Sequence, residues 1–181
     1  MTPGFRKVSE EAIHVGAVVS LAVGTFEAPD GVRFERDVVH HPGAVSVVPL
    51  LGDDTVVLVR QYRAAMDAEL LEIPAGKRDV DGEPPEVTAA RELQEEVGLR
   101  AGRLEKLCEF LNSPGFCDEH SPVYLARDLE VVEAEAVSLE EQYLTIEHHR
   151  LADVPAMIGR GDIVDAKTII GLSATLLHIR G

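Results

Sequence analysis

One segment of the chain is bounded by residues that fix where a helix begins and ends. Pro84 and Pro85 suit the first turn of a helix, where a missing backbone N–H costs nothing. Gly98 suits its end, because glycine readily adopts the left-handed conformation found just after a helix. The apolar residues between these limits recur at intervals of three and four, and they are Val87, Ala90, Leu93 and Val97. This pattern predicts an amphipathic helix over 85–97.

The face opposite this apolar stripe is predicted to carry three glutamates. Glu92, Glu95 and Glu96 are spaced so that all three carboxylates can converge on one side of the helix. Like charges at this spacing destabilise an isolated helix by about 0.2–0.5 kcal/mol per pair, and Arg91 offsets part of this cost. Two readings stay open at this point. The glutamates form either a solvated acidic face or a site for a hard divalent cation such as Mg²⁺, which prefers oxygen ligands.

The whole chain is strongly acidic, with 17 Lys and Arg against 32 Asp and Glu and a formal net charge of −15. Such a field repels nucleic acid and anionic membranes, so we expect neither as a partner. It also repels an anionic nucleotide, unless bound cations locally reverse its sign. The chain has two cysteines without a C-x-x-C pair and shows no signal peptide or spanning segment, which favours a cytoplasmic location.

Short apolar runs and turn signals predict strands on both sides of the helix. A hairpin turn is expected at 29–31 within the β-like runs of residues 12–39, and Pro42-Gly43 breaks the chain before the next strand. The further predicted strands cover 44–50, 55–62, 69–73, 104–112, 122–126 and 143–148, and the further helices cover 151–157 and 165–179. This mixture indicates an α+β or mixed α/β fold.

The residues around the helix resemble the Nudix box, the strand–loop–helix–loop signature of the Nudix hydrolases. From Gly76 the chain runs through six residues to Glu83, and through seven more to the run R-E-L-Q-E-E-V-G-L at 91–99. Every fixed residue type of the box is present. The spacing between Gly76 and Glu83 is one residue longer than usual, in a loop where an insertion costs little. The resemblance implies a Nudix α/β/α sandwich that performs metal-dependent diphosphate hydrolysis.

The resemblance also implies which residues hold the metal. Glu92 and Glu96 would ligate Mg²⁺ or Mn²⁺, and Glu95 would assist a further ion and so take part in catalysis. The carbonyl of Ala75 would be an extra ligand, and two to three ions are expected per active site. Such ions would polarise the phosphate and activate a water, and they would also offset the repulsion between this acidic chain and a nucleotide.

The other fixed residues of the box are expected to have structural roles. Arg91 would hold a box glutamate in place rather than touch the substrate. Gly76 and Gly98 would shape the backbone at the two ends of the motif.

A second segment narrows the substrate class. The run S-P-G-F-C-D-E at 113–119 resembles the mark of the ADP-ribose pyrophosphatases, with its proline 16 residues beyond Gly98. The alternative is an ordinary Pro-Gly turn. In the first reading, Gly115 and Phe116 belong to a loop that offers backbone N–H groups and the carboxylates of Asp118 and Glu119 to ribose hydroxyls.

Two arginines upstream are expected to bind the substrate. The segments 59–63 and 71–76 resemble the strand pair before the box in the same group, where the arginine that matches Arg63 contacts the diphosphate through its bidentate guanidinium. A surface salt bridge is the alternative for Arg63. Residues 36–45 resemble the junction with an N-terminal sheet that swaps across a dimer, and this places Arg36 near the partner's substrate or in a structural strand role.

A general base is still needed, and relatives supply a glutamate from a loop well after the box. Glu140 and Glu141 occupy that place here, and we favour Glu141. The alternative is that both are solvated loop acids. The histidine pairs at 40–41 and 148–149 have no ligand-like spacing to another cluster, so we interpret them as structural. Cys117 has no obvious neighbouring base, so we do not expect it to act as a nucleophile.

The sequence therefore predicts two parts. Residues 1–43 would form a small N-terminal antiparallel β appendage, which the resemblance assigns to dimerisation with swapping left open. Residues 44–181 would form the Nudix hydrolase domain. The resemblance implies a homodimer that splits ADP-ribose, a small-molecule nucleotide substrate, into AMP and ribose 5-phosphate. Two alternatives stay open: another nucleoside diphosphate derivative, such as a nucleotide sugar or a dinucleoside polyphosphate, or a sensor that binds ADP-ribose without cutting it.

Overall fold

The computed structural model describes residues 4–133 and 141–180, which fall into two compact units. The first unit runs through Gly43 and also contains Leu111–His120. The second consists of Ala44–Phe110 and the chain from Ser121 onward. Pro42-Gly43 signals the boundary at Gly43 in the sequence. The return of residues 111–120 to the first unit depends on contacts between distant segments, so no local pattern predicts it.

The first unit is built on a three-stranded antiparallel sheet in the order β1-β2-β3. Its strands are β1 (Arg6–Val15), β2 (Ser20–Glu27) and β3 (Arg33–His40). The turn predicted at 29–31 joins β2 to β3, with Gly31 at φ +85° and the Asp30 carboxylate accepting a hydrogen bond from the Val32 N–H at 3.1 Å. β1 begins six residues before the predicted run, because this largely exposed strand lacks the apolar alternation that marks a half-buried one.

The second unit contains a seven-stranded mixed sheet whose main path is β10-β5-β4-β9-β8. β6 pairs with β5 and β7 pairs with β4, both antiparallel, whereas β4 and β9 run parallel. The strands are β4 (Ala44–Leu51), β5 (Thr55–Arg63), β6 (Ala68–Glu72), β7 (Ala75–Lys77), β8 (Leu99–Leu111), β9 (His120–Val131) and β10 (Thr145–Arg150).

Helices cover both faces of this sheet. The helices are α1 (Pro85–Val97), α2 (Val154–Arg160) and α3 (Ala166–Arg180). Along β5, Val57 and Val59 pack into the core under α1, while Val56 and Leu58 pack into the core under α2 and α3. This strand alternation confirms the predicted α+β class and gives the α/β/α layering. Within residues 4–133 and 141–180, no helix is long and apolar enough to cross a membrane.

Helix α1 has the predicted bounds but not the predicted buried face. It ends at Gly98, which has φ +61° and donates its N–H to the last carbonyls of the helix. Val87 and Ala90 are exposed, so the apolar stripe assigned to them was wrong. The core-facing side carries Ala89 together with Leu93 and Val97, and it carries Glu92 and Glu96 as well. The two glutamates therefore do not lie on a solvated face.

Several boundaries in the last third of the chain also differ from the sequence predictions. A 3-10 turn occupies Glu141–Tyr143, so β10 starts two residues later than expected. The helix expected over 151–157 begins as a 3-10 turn at Leu151–Asp153 and continues as α2 to Arg160. Asp165, predicted as the first residue of the last helix, instead accepts a hydrogen bond from the Thr168 N–H at 2.9 Å at the start of α3.

Candidate active site

The backbone of β7 lies directly against a carboxylate of α1. A Cβ placed on Gly76 would lie 1.9 Å from Cδ of Glu92 and 2.1 Å from its Oε1. The strand is fixed from behind by antiparallel pairing with β4, where Val45 lies opposite Gly76. Glycine is required here because the carboxylate approaches the backbone so closely.

Glu96 lies one turn further along α1 and binds the same strand. Its Oε2 accepts a hydrogen bond from the backbone N–H of Ala75 at 3.0 Å. Glu92 is only 7% exposed and Glu96 only 6%. Two carboxylates held this close to one strand and this far from bulk water carry an electrostatic cost that a bound cation would relieve.

Arg91 is a cationic group in direct contact with Glu92. Its Nη1 lies 2.9 Å from Oε1 of Glu92 and 2.8 Å from Oε2 of Glu95, and its Nη2 lies 3.6 Å from Oε2 of Glu83. Burial alone would lower the pKa of Arg91, but Glu92 and Glu95 outweigh this effect and raise it. Arg91 is thus a permanent positive charge that fixes the side chains around it.

One guanidinium does not balance this cluster, because Asp79 also lies 4.0 Å from Nη2 of Arg91. The donors near Gly76 are carboxylate and backbone oxygens, the set that Mg²⁺ and Mn²⁺ prefer. Among the described residues, no three Asp, Glu, His or Cys side chains already surround a single point. The arrangement therefore fits a cation that takes two carboxylates from α1 and completes its shell with a backbone carbonyl, water and phosphate.

A second charged cluster joins β5, β6 and α3, and of its members the sequence analysis singled out only Arg63. The guanidinium of Arg63 binds Glu72 in bidentate fashion, with Nε 2.8 Å from Oε1 and Nη2 2.5 Å from Oε2. Nζ of Lys167 lies 2.5 Å from the same Oε2. Glu72 is 1% exposed, so its charge is compensated by these two cations rather than by water.

For Arg63, the structure contains a salt bridge, but its partner Glu72 is buried, so it is not the surface salt bridge that the sequence left as the alternative. The pair uses Nε and Nη2, and Nη1 lies outside it. The hydrogen bond to Glu72 raises the pKa of Arg63, and the charges of Glu72, Glu96 and Asp165 raise it further. Glu96 contributes to this shift, so Arg63 is electrostatically coupled to the carboxylate site on α1.

The start of α3 is tied to the residue that follows Glu72. The Asp165 carboxylate lies 3.0 Å from Nζ of Lys167, and it accepts a hydrogen bond from Oγ1 of Thr168 at 2.6 Å. Oγ1 of Thr168 in turn accepts the N–H of Ile73 at 2.9 Å. The contact between Thr168 and Ile73 joins residues 95 positions apart, so no local sequence pattern signals it.

In the first unit, the segment 113–119 forms the loop that was expected to meet the substrate. Its turn is closed by the carbonyl of Ser113, which accepts the N–H groups of Phe116 at 3.0 Å and Cys117 at 2.8 Å. The loop then pairs with β3, where the N–H of Val39 donates to the carbonyl of Phe116 at 2.7 Å. Gly115 and Phe116 are exposed.

Both oxygens of Asp118 have partners within the first unit. Oδ2 lies 2.5 Å from Nδ1 of His40, and Oδ1 accepts the N–H of His41 at 2.9 Å. Glu119 lies 3.9 Å from Nδ1 of His41. Burial acts to raise the pKa of Asp118, but the hydrogen bonds from His40 and His41 lower it. Sequence analysis had assigned Asp118 and Glu119 to the substrate and did not foresee these histidine contacts.

A cavity of about 370 Å³ adjoins this loop within the first unit. Phe26 and Phe116 give it aromatic walls, and Arg36, Asp37 and Gly115 also line it. Cζ of Arg36 lies 4.7 Å from the ring centroid of Phe34, and its Nη1 donates to the carbonyl of Glu35 at 2.7 Å. The structure thus places Arg36, Gly115 and Phe116 around one cavity.

The two residues considered as the general base lie at the edge of the described chain. Glu140 is outside the described residues. Glu141 begins the 3-10 turn Glu141–Tyr143 directly before β10, but its side chain is outside the described part. The assignment of the base to this loop stays a prediction.

Comparison with known proteins gives one matching family model, described as NUDIX domain, over residues 40–168. The chain is 37% identical over 163 residues to an ADP-ribose pyrophosphatase of Bacillus subtilis (strain 168), covering 90% of this chain and 88% of the relative. It is 39% identical over 170 residues to an ADP-ribose pyrophosphatase of Mycobacterium tuberculosis, covering 94% of this chain and 82% of the relative.

A solved structure described as an ADP compounds hydrolase superposes on the chain with a TM-score of 0.87. The match covers 100% of this chain and 97% of that one at 22% sequence identity. At this level of identity the likeness establishes the fold.

Proposed function

The chain belongs to the NUDIX family, and on this premise we propose that it hydrolyses the diphosphate of ADP-ribose to AMP and ribose 5-phosphate. Two relatives at 37% and 39% identity carry the name ADP-ribose pyrophosphatase and match most of the chain, which supports this substrate. The products follow from attack of one water molecule on a phosphorus, with cleavage of the bond to the bridging oxygen.

The reaction class rests on one observation, the buried pair of carboxylates held against Gly76. Glu92 and Glu96 combine low exposure with a fixed approach to one strand, which suits a divalent cation and a phosphate better than it suits solvent. Glu92, Glu96 and the carbonyl of Ala75 would hold the metal, and Glu95 would assist a second or third ion. We expect Mg²⁺ or Mn²⁺. When bound, the ions neutralise charge on the diphosphate and activate the attacking water.

The other side chains would position the diphosphate and its two ribose-linked ends. Arg91 keeps Glu92 and Glu95 in place, as its contacts at 2.9 and 2.8 Å support. Arg63 would offer Nη1 to the diphosphate while Glu72 holds the opposite edge of its guanidinium. In the first unit, Arg36, Gly115 and Phe116 would bind substrate where they line one cavity. Asp118 and Glu119, in the 113–119 loop, would offer their carboxylates to ribose hydroxyls.

We assign the general base to Glu141, with Glu140 as the alternative. Glu141→Gln is expected to lower kcat by about a hundredfold to ten-thousandfold, because proton transfer by a positioned side chain contributes that much. KM should change little. Steady-state kinetics of Glu141→Gln and Glu140→Gln side by side check this, since both variants remove one charge from neighbouring positions. A large fall in Glu140→Gln alone would keep the loop and move the base by one residue.

The first unit supports a homodimer as the working form. Phe5 is 71% exposed and Val15 is 75% exposed, and these apolar side chains belong to the edge strand β1 or flank it. Burial of this surface against a second copy would cover them. Light scattering should give twice the 19.6 kDa chain mass, and a single-chain mass at micromolar concentration would contradict the dimer.

We also favour a cytoplasmic location, since Cys108 and Cys117 form no disulfide.

A substrate panel separates the proposal from its alternatives. We expect the highest kcat/KM on ADP-ribose, compared with NADH, UDP-glucose, GDP-mannose and diadenosine polyphosphates. A higher value on another compound would keep the reaction class and reject the substrate assigned from the 113–119 loop. Binding of ADP-ribose without turnover of any compound would identify a sensor instead of an enzyme.

A further inference from the structure

His40, the last residue of β3, lies between two carboxylates from different segments. Its Nδ1 is 2.5 Å from Oδ2 of Asp118 and its Nε2 is 2.9 Å from Oε1 of Glu10 on β1. An imidazole ring can donate from both nitrogens only when it carries two protons. This geometry therefore matches an imidazolium that joins β1, β3 and the loop that contains Asp118.

The same loop is attached to β3 through its backbone. Besides the bond from Val39 to Phe116, the N–H of Asp118 donates to the carbonyl of Val39 at 3.2 Å. Oδ1 of Asp118 accepts the N–H of His41 at 2.9 Å. β3 is an edge strand of its sheet, so the loop completes backbone hydrogen bonds that a neighbouring strand would otherwise make. His40 lies at the end of this pairing.

We propose that His40, as an imidazolium, is a positioning residue that holds the 113–119 loop in its substrate-binding position. The inference rests on the proposed function, which assigns that loop to ADP-ribose. His40 touches no atom assigned to the reaction, so its effect reaches the substrate through Asp118 and the loop.

The charged groups around His40 favour its protonated form. The hydrogen bond to Asp118 is the main reason that the pKa of His40 lies above its ordinary 6.5, and the bond to Glu10 adds to it. Glu10 is also bound by Nζ of Lys7 at 3.1 Å, which lowers the pKa of Glu10, as does His40. Next to His40, Nδ1 of His41 lies 3.9 Å from Oε1 of Glu119.

These directions give the pH range in which the contact stabilises the loop. Because the pKa of His40 is raised, its contribution to holding the loop is complete below about pH 6.5. This contribution is lost as pH rises through the raised pKa. The pKa values of Asp118 and Glu10 are lowered, so their contributions are present above 3.8 and 4.5 and are lost as pH falls through the lowered values. The loop is therefore held most firmly between about pH 4.5 and 6.5.

The kinetic test compares His40→Gln with the natural chain across pH 6 to 9. We expect KM for ADP-ribose to rise about three- to fivefold at pH 6, a modest factor because the contacts are partly exposed to solvent. kcat should change less than about twofold. The ratio of the two KM values should approach one above the raised pKa of His40. His178→Gln, the same substitution outside the first unit, serves as the matched control and should leave KM unchanged.

Glu10→Gln supplies a second variant that keeps the histidine. Removal of this carboxylate lowers the pKa of His40, so the rise of KM with pH should begin at lower pH than in the natural chain. A KM ratio for His40→Gln that is the same at every pH, or a Glu10→Gln profile that overlays the natural one, would overturn the proposal.

A readout without substrate separates this inference from the proposed function. NMR titration should show the His40 ring titrating above 6.5, and amide hydrogen exchange at Val39 and Asp118 should accelerate in His40→Gln at pH 6. Unchanged exchange at both amides would reject the positioning role of His40 even if ADP-ribose is hydrolysed. Faster exchange in a chain that hydrolyses nothing would retain the positioning role and reject the proposed function.

Discussion

Replacement of Glu96 by Gln is expected to lower kcat by about a thousandfold or more, equivalent to about 4 kcal/mol of transition-state stabilisation. The substitution keeps the size of the side chain and an oxygen that can accept the N–H of Ala75, so the chain should fold as before. It removes one of the two buried charges that would hold the cation. The measurement is steady-state hydrolysis of ADP-ribose at saturating Mg²⁺ or Mn²⁺.

Thermal unfolding shows whether the loss comes from the metal site. Without divalent metal, Glu96→Gln should melt at the same temperature as the natural chain or higher, because a buried like charge has been removed. Added Mn²⁺ should raise the Tm of the natural chain more than that of the variant. Glu86→Gln is the matched control, since Glu86 lies exposed in the first turn of the same helix. Full activity of Glu96→Gln would remove the metal assignment.

Replacement of Glu72 by Gln should destabilise the chain strongly. It leaves Arg63 and Lys167 without the carboxylate that both contact, and broken buried ion pairs cost about 3–5 kcal/mol. We expect about 3 kcal/mol, because Arg63 is 39% exposed and Lys167 keeps Asp165. For a chain of this length that corresponds to a Tm lower by about 6–12 °C.

Two comparisons test the origin of this effect. Glu69→Gln lies on the same strand in an exposed position and should change Tm by less than about 2 °C. The double variant Glu72→Gln with Lys167→Met also removes one of the two cations left without the carboxylate. It should therefore recover part of the lost Tm. A Tm for Glu72→Gln within about 2 °C of the natural chain would contradict the role of Glu72 as a buried counter-ion.

The parts of the fold that the sequence predicts are those with local causes. Pro85 and Gly98 fix the ends of α1 through backbone conformation alone, and residues 91–98 of the run lie inside one continuous helix and its cap. The close approach of Gly76 to Glu92 belongs to the same short stretch. Local spacing is therefore sufficient to identify the motif and the chemistry that it implies.

The face of α1 that is buried could not be predicted from the same pattern. Alanines at 89 and 90 allow two apolar stripes that share Leu93 and Val97, and the sequence prediction took the one through Val87 and Ala90. The buried face is the one that contacts β7, because Glu92 and Glu96 lie against the backbone of that strand. The pairing of Lys167 with Glu72 was missed for a related reason, since it joins α3 to a strand 95 residues earlier.

The central claim is metal-assisted hydrolysis of ADP-ribose, and the most direct test is release of its two products by the natural chain. AMP and ribose 5-phosphate should appear in equal amounts with Mg²⁺ or Mn²⁺ and should be absent in EDTA. Activity should return when the metal is restored. Equal product release in the presence and absence of EDTA, or no release of AMP with either metal, would contradict the account.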